Sequence, residues 1–596
     1  MNTSDRNKIP EKYRWRMTDI YESDAAWETA LGEVQDKARE LADYRGMLGK
    51  SRESLVGGLR LADDMSRQLE QVYLYAKMYQ DLNNADPARQ AMQDRALGVV
   101  FDIQESTAFI TPELSEVEPD TLRSWVSDVP EYVHMADNII RSREHVLSAR
   151  EEQLMAMAAP AIESIDSAFS MLESVDMKLG EITDESGQSV PLTHGLFGKL
   201  RDCRDRGVRA EAFAVMHGAF ADMGNTIAAL YSGSVRADLF RAKARGYRDC
   251  LDNALFSDNL PRSVYTELIS AVRSRLGTNH RYLELRRKCL NVEKLHIYDT
   301  YVPIVDMPNS EYSYEQACEM VCRNLTPLGE EYSKDLNRLL AGGWVDVYET
   351  AGKTTGAYAT GIYGVHPFML LNFVGQLGDV FTLAHEAGHC LHTWYSDTQA
   401  YSNKDYPIFL AEIASTVNEN ILMRRLIAEC DAATPDGKRK KAYLVNRFLE
   451  EIKGTVFRQT MFAEFELKTH EMAENGQPLT AESLCDLYEG LLRDYFGADV
   501  EIDDYMRWEW ARIPHFYNAF YVFQYATGFS AAAAISRQIL GGGEVEPYLQ
   551  FLRAGGSDYP ADTLRRTGVD LTTPVPVNDA LDEFDALVDE LETLMR

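Results

Sequence analysis

Two histidines and a glutamate in one pentapeptide carry the chain's clearest chemistry: His385-Glu386-Ala387-Gly388-His389, inside the run from Asp379 to Tyr395. The pattern is H-E-x-x-H. Residues four apart differ by about 40° around an α-helix, so both imidazoles project from one face, about one turn apart. Two nitrogens can then share one ion. Glu386 sits beside the first histidine and can aim its carboxylate at a water on that ion without binding the ion itself. Zinc lowers the pKa of such a water, and a carboxylate that takes its proton lets hydroxide attack a carbonyl. The flanking Phe381, Leu383, Ala384, Ala387, Leu391 and Trp394 are apolar, so the helix is expected to be buried. Burying two histidines and a glutamate without partners is costly, and a metal supplies the partner. The expectation is one Zn2+ per chain.

The third ligand must come from elsewhere. His392 lies seven residues from His385, about 10 Å along the axis, too far to share the ion. The extended pattern H-E-x-x-H-x-x-G-x-x-H fails too, because His392 stands at its glycine and Tyr395 at its last histidine. That leaves a carboxylate on another helix. In residues 408–422, Leu410, Ile413, Val417 and Ile421 form an apolar face, with Glu412 and Glu419 on a second stripe. Glu412 is the expected third ligand. Glu419, two turns on, is placed to orient a ligating histidine from behind.

Two more segments bear on the chemistry. Strand character precedes the metal helix at Trp344–Tyr348, Gly356–Tyr363 and Met369–Phe373. A small sheet there puts an edge strand beside the metal, and such an edge binds an extended peptide by main-chain hydrogen bonds. Gly356, Ala357 and Tyr358 are the expected substrate contacts. His366, in the loop before the helix, reads as a packing or surface residue. Later, Pro514 suits the first turn of a helix. Tyr517, Tyr521 and Tyr525 then fall on an i, i+4, i+8 row. Neutral tyrosines donate hydrogen bonds at pH 7, which the oxyanion of peptide hydrolysis needs. An aromatic row at helical spacing is more often the mark of a core-facing stripe.

The pentapeptide followed by Phe409-Leu-Ala-Glu-Ile-Ala-Ser415 resembles the M3 family of metallopeptidases, and within it the oligoendopeptidase F group. Val235-Arg-Ala-Asp-Leu-Phe-Arg-Ala-Lys-Ala-Arg-Gly-Tyr247, Gly356-Ala-Tyr358, Pro367-Phe-Met-Leu-Leu-Asn372 and Ile513 to Gly528 agree with it. The resemblance spans roughly residues 120 to 590. It implies a mainly α, two-lobed body with a deep central channel and a small β-sheet beside the zinc-binding helix. It implies endopeptidase activity on short unstructured peptides. It also implies a histidine and tyrosines over the scissile bond, for which His515, Tyr521 and Tyr525 match best, with Tyr517 still in contention. Relatives often carry tyrosine where this chain has Phe523, so no hydroxyl role is assigned there.

Composition sets bounds. The chain has 596 residues, 61 Lys+Arg against 93 Asp+Glu, and a net charge of −32. That argues against nucleic-acid and anionic-membrane partners. No apolar leader and no run of eighteen apolar residues stand out, so neither secretion nor a membrane span is expected. Eight scattered cysteines in a long chain without a leader argue against a disulfide framework, and the expected compartment is the cytoplasm. Cys318 and Cys322 are one turn apart, and Cys390 adjoins His389. Packing is the expected role of all three.

Helical periodicity dominates. Ser23 is a candidate cap for a helix carrying Trp27, Leu31, Val34, Ala38, Leu41 and Tyr44, and similar patterns follow over about 51–84 and 87–107. Three segments are expected: helical hairpins over 1–115, an oligoendopeptidase F-type N-terminal region over 116–200 with a hairpin at Ser186-Gly187, and an M3-type catalytic domain over 201–596. Long helices are expected over about 207–245 and 262–290, and an amphipathic one at the C-terminus. Two other functions fit less well. A helical metallocarboxypeptidase needs a basic anchor for the substrate's terminal carboxylate. A non-catalytic peptide-binding protein has no use for Glu386, and a structural zinc usually takes four protein ligands. Oligomeric state is not legible.

Overall fold

Residues 5–306 and 311–596 are described in a computed structural model. The expected N-terminal helices form as α1 (Asp24–Ala42), α2 (Arg52–Leu82) and α3 (Pro87–Thr107). Each start has a local cause. Ser23 and Ser51 are extended and accept from the backbone N–H groups of Ala26 and Ser54, while Asp86 caps α3 ahead of Pro87. Trp27, Leu31, Val34, Met65, Val72 and Ala96 bury one shared core. The Trp27 indole donates to Val72 O at 2.8 Å, so even its polar atom is satisfied.

That core continues into a three-stranded sheet of β1 (Val345–Asp346), β2 (Tyr358–Thr360) and β3 (Phe368–Leu370). The order is β1-β3-β2. Val345 sits opposite Met369 in the parallel pair and Tyr358 opposite Leu370 in the antiparallel one. β3 is central and fully buried. β2 is a half-buried edge. Trp15 closes over the sheet by donating to Met369 O at 2.8 Å. Asp346 anchors the N-terminal segment, accepting from Arg6, Lys353 and the Trp15 amide.

Two long helices follow, α4 (Leu377–Ser396) and α5 (Ile408–Ala428). Asp379 caps α4, its Oδ2 accepting from the amides of Val374, Gly375 and Gln376 at 2.7–3.1 Å. Further on come α6 (Arg458–Glu474) and α7 (Phe523–Leu540). The C-terminal helix Val575–Met595 buries Leu581, Phe584, Val588 and Leu591, as its pattern requires. A two-stranded hairpin pairs Glu181 with Pro191 and Thr183 with Ser189. The chain is mainly α, with only small sheets.

Three expectations change. The helix over 207–245 is two helices, Arg206–Asp222 and Gly224–Ala244. Met223 leaves the helical region, and a side chain at Gly224 would lie 2.1 Å from the Trp508 ring. The helix over 262–290 likewise breaks at Arg275 into Ser263–Ser274 and Leu276–Leu290. The third change falls at Pro514–Tyr525, where a 3-10 turn and a later helix start replace one helix. The chain divides into two compact units. One comprises Met1–Glu144, Asn309–Arg425 and Ile535–Val569, the other His145–Pro308, Leu426–Ala534 and Asp570–Arg596. All eight cysteines are free thiols. Among the described residues no helix is long and apolar enough to cross a membrane.

Candidate active site

α4 presents His385 and His389 from one face, with Nε2 atoms 3.2 Å apart. Glu412 comes from α5, its Oε2 at 3.5 Å from His385 Nε2 and 3.6 Å from His389 Nε2. The three donor atoms lie within 4.8 Å of one another, the single group of this kind among the described residues. Two imidazole nitrogens and a carboxylate oxygen are the donor set that suits zinc with a position left open. Glu419 Oε2 lies 3.1 Å from His385 Nδ1, which fixes that ring and leaves Nε2 facing His389 and Glu412.

Close helix packing brings Glu412 to this place. A Cβ on Gly388 would fall 2.6 Å from Ser415 Cα and 2.7 Å from Ala414 O, so α4 and α5 meet backbone to backbone. Asn418 fastens the contact. Its Nδ2 donates to Ala384 O at 2.9 Å, and its Oδ1 accepts from Tyr332 at 2.8 Å. Ser415 donates to Glu412 Oε2 at 3.1 Å. Neither Gly388 nor Asn418 was legible as a site residue, because each acts through a partner distant in sequence.

Glu386 is 8 % exposed and shares a cavity wall with His385, His389 and Glu412. Burial raises its carboxyl above the usual range, against the pull of His385 and His389. Burial opposes a charge on His385, but the Glu419 hydrogen bond and the surrounding carboxylates outweigh it and lift its pKa to about 9. Glu412 is drawn down to about 2 by His389 close beside it, against burial.

The cavity measures 580 Å³. Ala357 to Gly361, which include β2, line it. Gly361 permits this: a Cβ there would fall 2.1 Å from Thr393 Cγ2, one turn beyond His389. The edge strand therefore lies against the metal helix, as expected. Ala357 and Tyr358 line the cavity and Gly356 does not. The Tyr358 hydroxyl is committed to Asp81 at 2.6 Å, so Tyr358 offers backbone and ring rather than a free hydroxyl. Its lining also includes Glu70, Asp397, Lys404, Asp405 and Tyr406, which sequence reasoning missed. Lys404 pairs with Glu70 at 3.1 Å and Asp405 at 2.7 Å, and burial lifts the Asp397 carboxyl to about 7. A second cavity of 390 Å³ lies among Phe197, Tyr301 and Phe457. Its Lys453 and Arg458 are paired to Glu450 and Glu509.

His392 packs rather than ligates, stacked on Tyr406 at 3.5 Å between centroids. His366 is a packing residue as well, stacked on Trp344 and hydrogen-bonded to Asp19. Cys390 is buried.

The tyrosine row does not form. Pro514–Tyr517 is a short 3-10 turn, and α7 starts only at Phe523. Asn518 is not helical, and Phe520 takes φ +58, a left-handed conformation costing about 1–3 kcal/mol for a bulky residue. The kink sorts the three tyrosines. Tyr517 stacks on Phe169 at 4.2 Å, and its buried hydroxyl has no hydrogen-bond partner among the described residues. His515, Tyr521 and Tyr525 cluster instead. The Tyr521 and Tyr525 rings are 5.4 Å apart, and each lies 6.1 Å from the His515 ring. His515 is exposed and both tyrosines are half-buried. Phe523 is buried against Tyr265.

Comparison with known proteins places these features. Residues 199–583 match the family described as Peptidase family M3, and residues 113–178 match Oligopeptidase F. The chain is 38% identical over 597 residues to oligopeptidase PepF of Bacillus subtilis, covering 99% of this chain and 88% of that protein. It is 37% identical to group B oligopeptidase PepB of Streptococcus agalactiae, over 100% and 99% of the two chains. The crystal structure of oligoendopeptidase-F from Enterococcus faecium superposes with a TM-score of 0.74 at 34% identity, covering 96% and 99%. The similarity thus includes the first hundred residues, beyond the span of 120 to 590 expected from motifs. The chain belongs to peptidase family M3 and is a metalloendopeptidase.

Proposed function

We propose that this enzyme hydrolyses internal bonds of short, unstructured peptides, using one zinc ion held by His385, His389 and Glu412. The observation that carries the proposal is Glu386, a carboxylate on the wall of the cavity that the three ligands share, with an edge strand alongside. Zinc, when bound, supplies a Lewis acid that acidifies water and polarises a carbonyl. Glu386 takes the proton of the attacking water as its oxygen bonds to the carbonyl carbon, and delivers that proton to the amine as the C–N bond breaks. Glu419 holds the His385 ring in the tautomer a ligand needs. β2, with Ala357 and Tyr358, aligns the substrate backbone, and Gly356 shapes the turn that leads into it. His515, Tyr521 and Tyr525 donate to the oxyanion. Confinement of the substrate in a channel, which limits it to short peptides, and a cytoplasmic location belong to the same proposal.

Mass spectrometry of a peptide library blocked at both ends tests it. Internal cleavage that stops on zinc removal and returns with zinc is the expected result. Release of C-terminal residues only, from peptides with free ends, would favour a carboxypeptidase. Binding without cleavage would favour a peptide-binding protein.

A further inference from the structure

Glu466, on α6, has no part in the proposed chemistry, yet it is fully buried and carries half of an unusual contact. Its Oε1 accepts the backbone N–H of Phe520 at 3.1 Å. Its Oε2 has no partner among the described residues. Among the described residues Phe520 is the one bulky residue in the left-handed region, beside Asn259 and Asn291, which tolerate it better. Left-handed outliers of this kind persist only where their surroundings over-determine them, and they gather at working sites.

We infer that Glu466 is a positioning residue for the peptidase: its carboxyl grips the Phe520 amide and so holds the kink that sets Tyr521 and Tyr525 against His515. The inference rests on the donor role proposed for those residues.

The surroundings of Glu466 are built for a rigid grip. Its backbone carbonyl accepts from Thr469 at 2.9 Å and faces His470 Nδ1 at 2.8 Å. Thr469 is tied to the Tyr231 hydroxyl at 2.7 Å. The Phe520 ring is wedged between His470, at 4.5 Å, and Tyr265, at 5.6 Å. Tyr265 in turn donates to Ala463 O at 2.6 Å. Ring and amide of Phe520 are both fixed by α6 and its neighbours. The next residue is Tyr521, and α7 begins two residues later with Tyr525 in its first turn. A continuous helix through this segment would place Tyr517 with the other two; the kink removes it to Phe169. Burial raises the Glu466 carboxyl well above the usual range, so a neutral acid fits here and an amide of the same shape should replace it.

The test compares three variants by steady-state kinetics and thermal melting, alongside Tyr521→Phe and Tyr525→Phe. Glu466→Gln keeps an acceptor oxygen in place and should hold kcat and KM within a few-fold of wild type. Glu466→Leu removes the acceptor, and Glu466→Asp withdraws it by one methylene. Both should lower kcat by roughly 10–100-fold with KM little changed, the effect of about 1 Å of misplacement. If the Leu variant does not fold, the Asp variant carries the test. A folded Leu or Asp variant with wild-type kcat overturns the inference, as does a Gln variant that fails equally. Impaired tyrosine variants with normal Glu466 variants overturn this inference alone. Normal kcat in both tyrosine variants overturns the donor role and this inference with it.

Discussion

Gly388→Ala should cripple metal binding although alanine favours helices. The added Cβ would sit 2.6 Å from Ser415 Cα, 2.7 Å from Ala414 O and 2.8 Å from Ser415 N. Nonbonded carbons rest about 3.5–4.0 Å apart, so the gap must open by about 1 Å. All three obstacles are backbone, and no side chain can swing aside. The displacement reaches the ligand directly, because Ser415 holds Glu412 and lies one turn from it on α5. Zinc–oxygen bonds tolerate only about 0.2 Å. Overpacking should cost about 1–3 kcal/mol of stability, and about 1 Å of misplacement roughly 10²-fold in rate. Gly378→Ala, in the first turn of the same helix with no atom within 4 Å of the new Cβ, is the control and should be neutral. Zinc affinity by chelator competition, kcat on a quenched fluorescent peptide and thermal melts are measured on both. Wild-type zinc affinity and kcat in Gly388→Ala would refute the close-packing argument.

Glu412→Ala should lose tightly bound zinc while keeping the fold, read by elemental analysis; full metal retention would remove Glu412 from the ligand set. Tyr521→Phe or Tyr525→Phe should lower kcat by about 10²–10³ with little change in KM, whereas Tyr517→Phe should leave kcat unchanged, because its hydroxyl is buried beside Phe169. Burial pushes the Asp346 carboxyl up, but Arg6 and Lys353 hold it below its usual 3.8. A depressed carboxyl stabilises the fold above its unfolded pKa and loses that contribution as pH falls through the folded value. Asp346→Asn should therefore cost about 3–5 kcal/mol at neutral pH and progressively less as pH drops below about 4, in denaturant melts across pH; an equal loss at both ends would contradict the pairing.

What was legible in the sequence was local. The His385–His389 spacing depends only on helical geometry, and Glu412 and Glu419 declare themselves by their place beside the apolar face of α5. The start of α1 follows from Ser23. What was not legible depends on distant partners. No local pattern marks the break at Arg275. The Phe520 amide at the kink donates to Glu466, which lies 54 residues away, so a regular tyrosine row was the natural expectation and the wrong one. Gly388 reads as a poor helix residue until α5 lies against it. Glu70 reaches the metal cavity from α2, which no spacing near the pentapeptide could foretell.

Glu386 is proposed to move the proton while other residues hold the metal. Glu386→Gln tests it most directly, with single-turnover hydrolysis of a blocked peptide and zinc content determined on the same preparation. Equal zinc per chain and hydrolysis slower by about 10²–10⁴ is the predicted result, since the amide keeps the size but cannot take the proton. Hydrolysis within a few-fold of wild type at equal zinc, in a preparation free of host peptidases, would contradict the account.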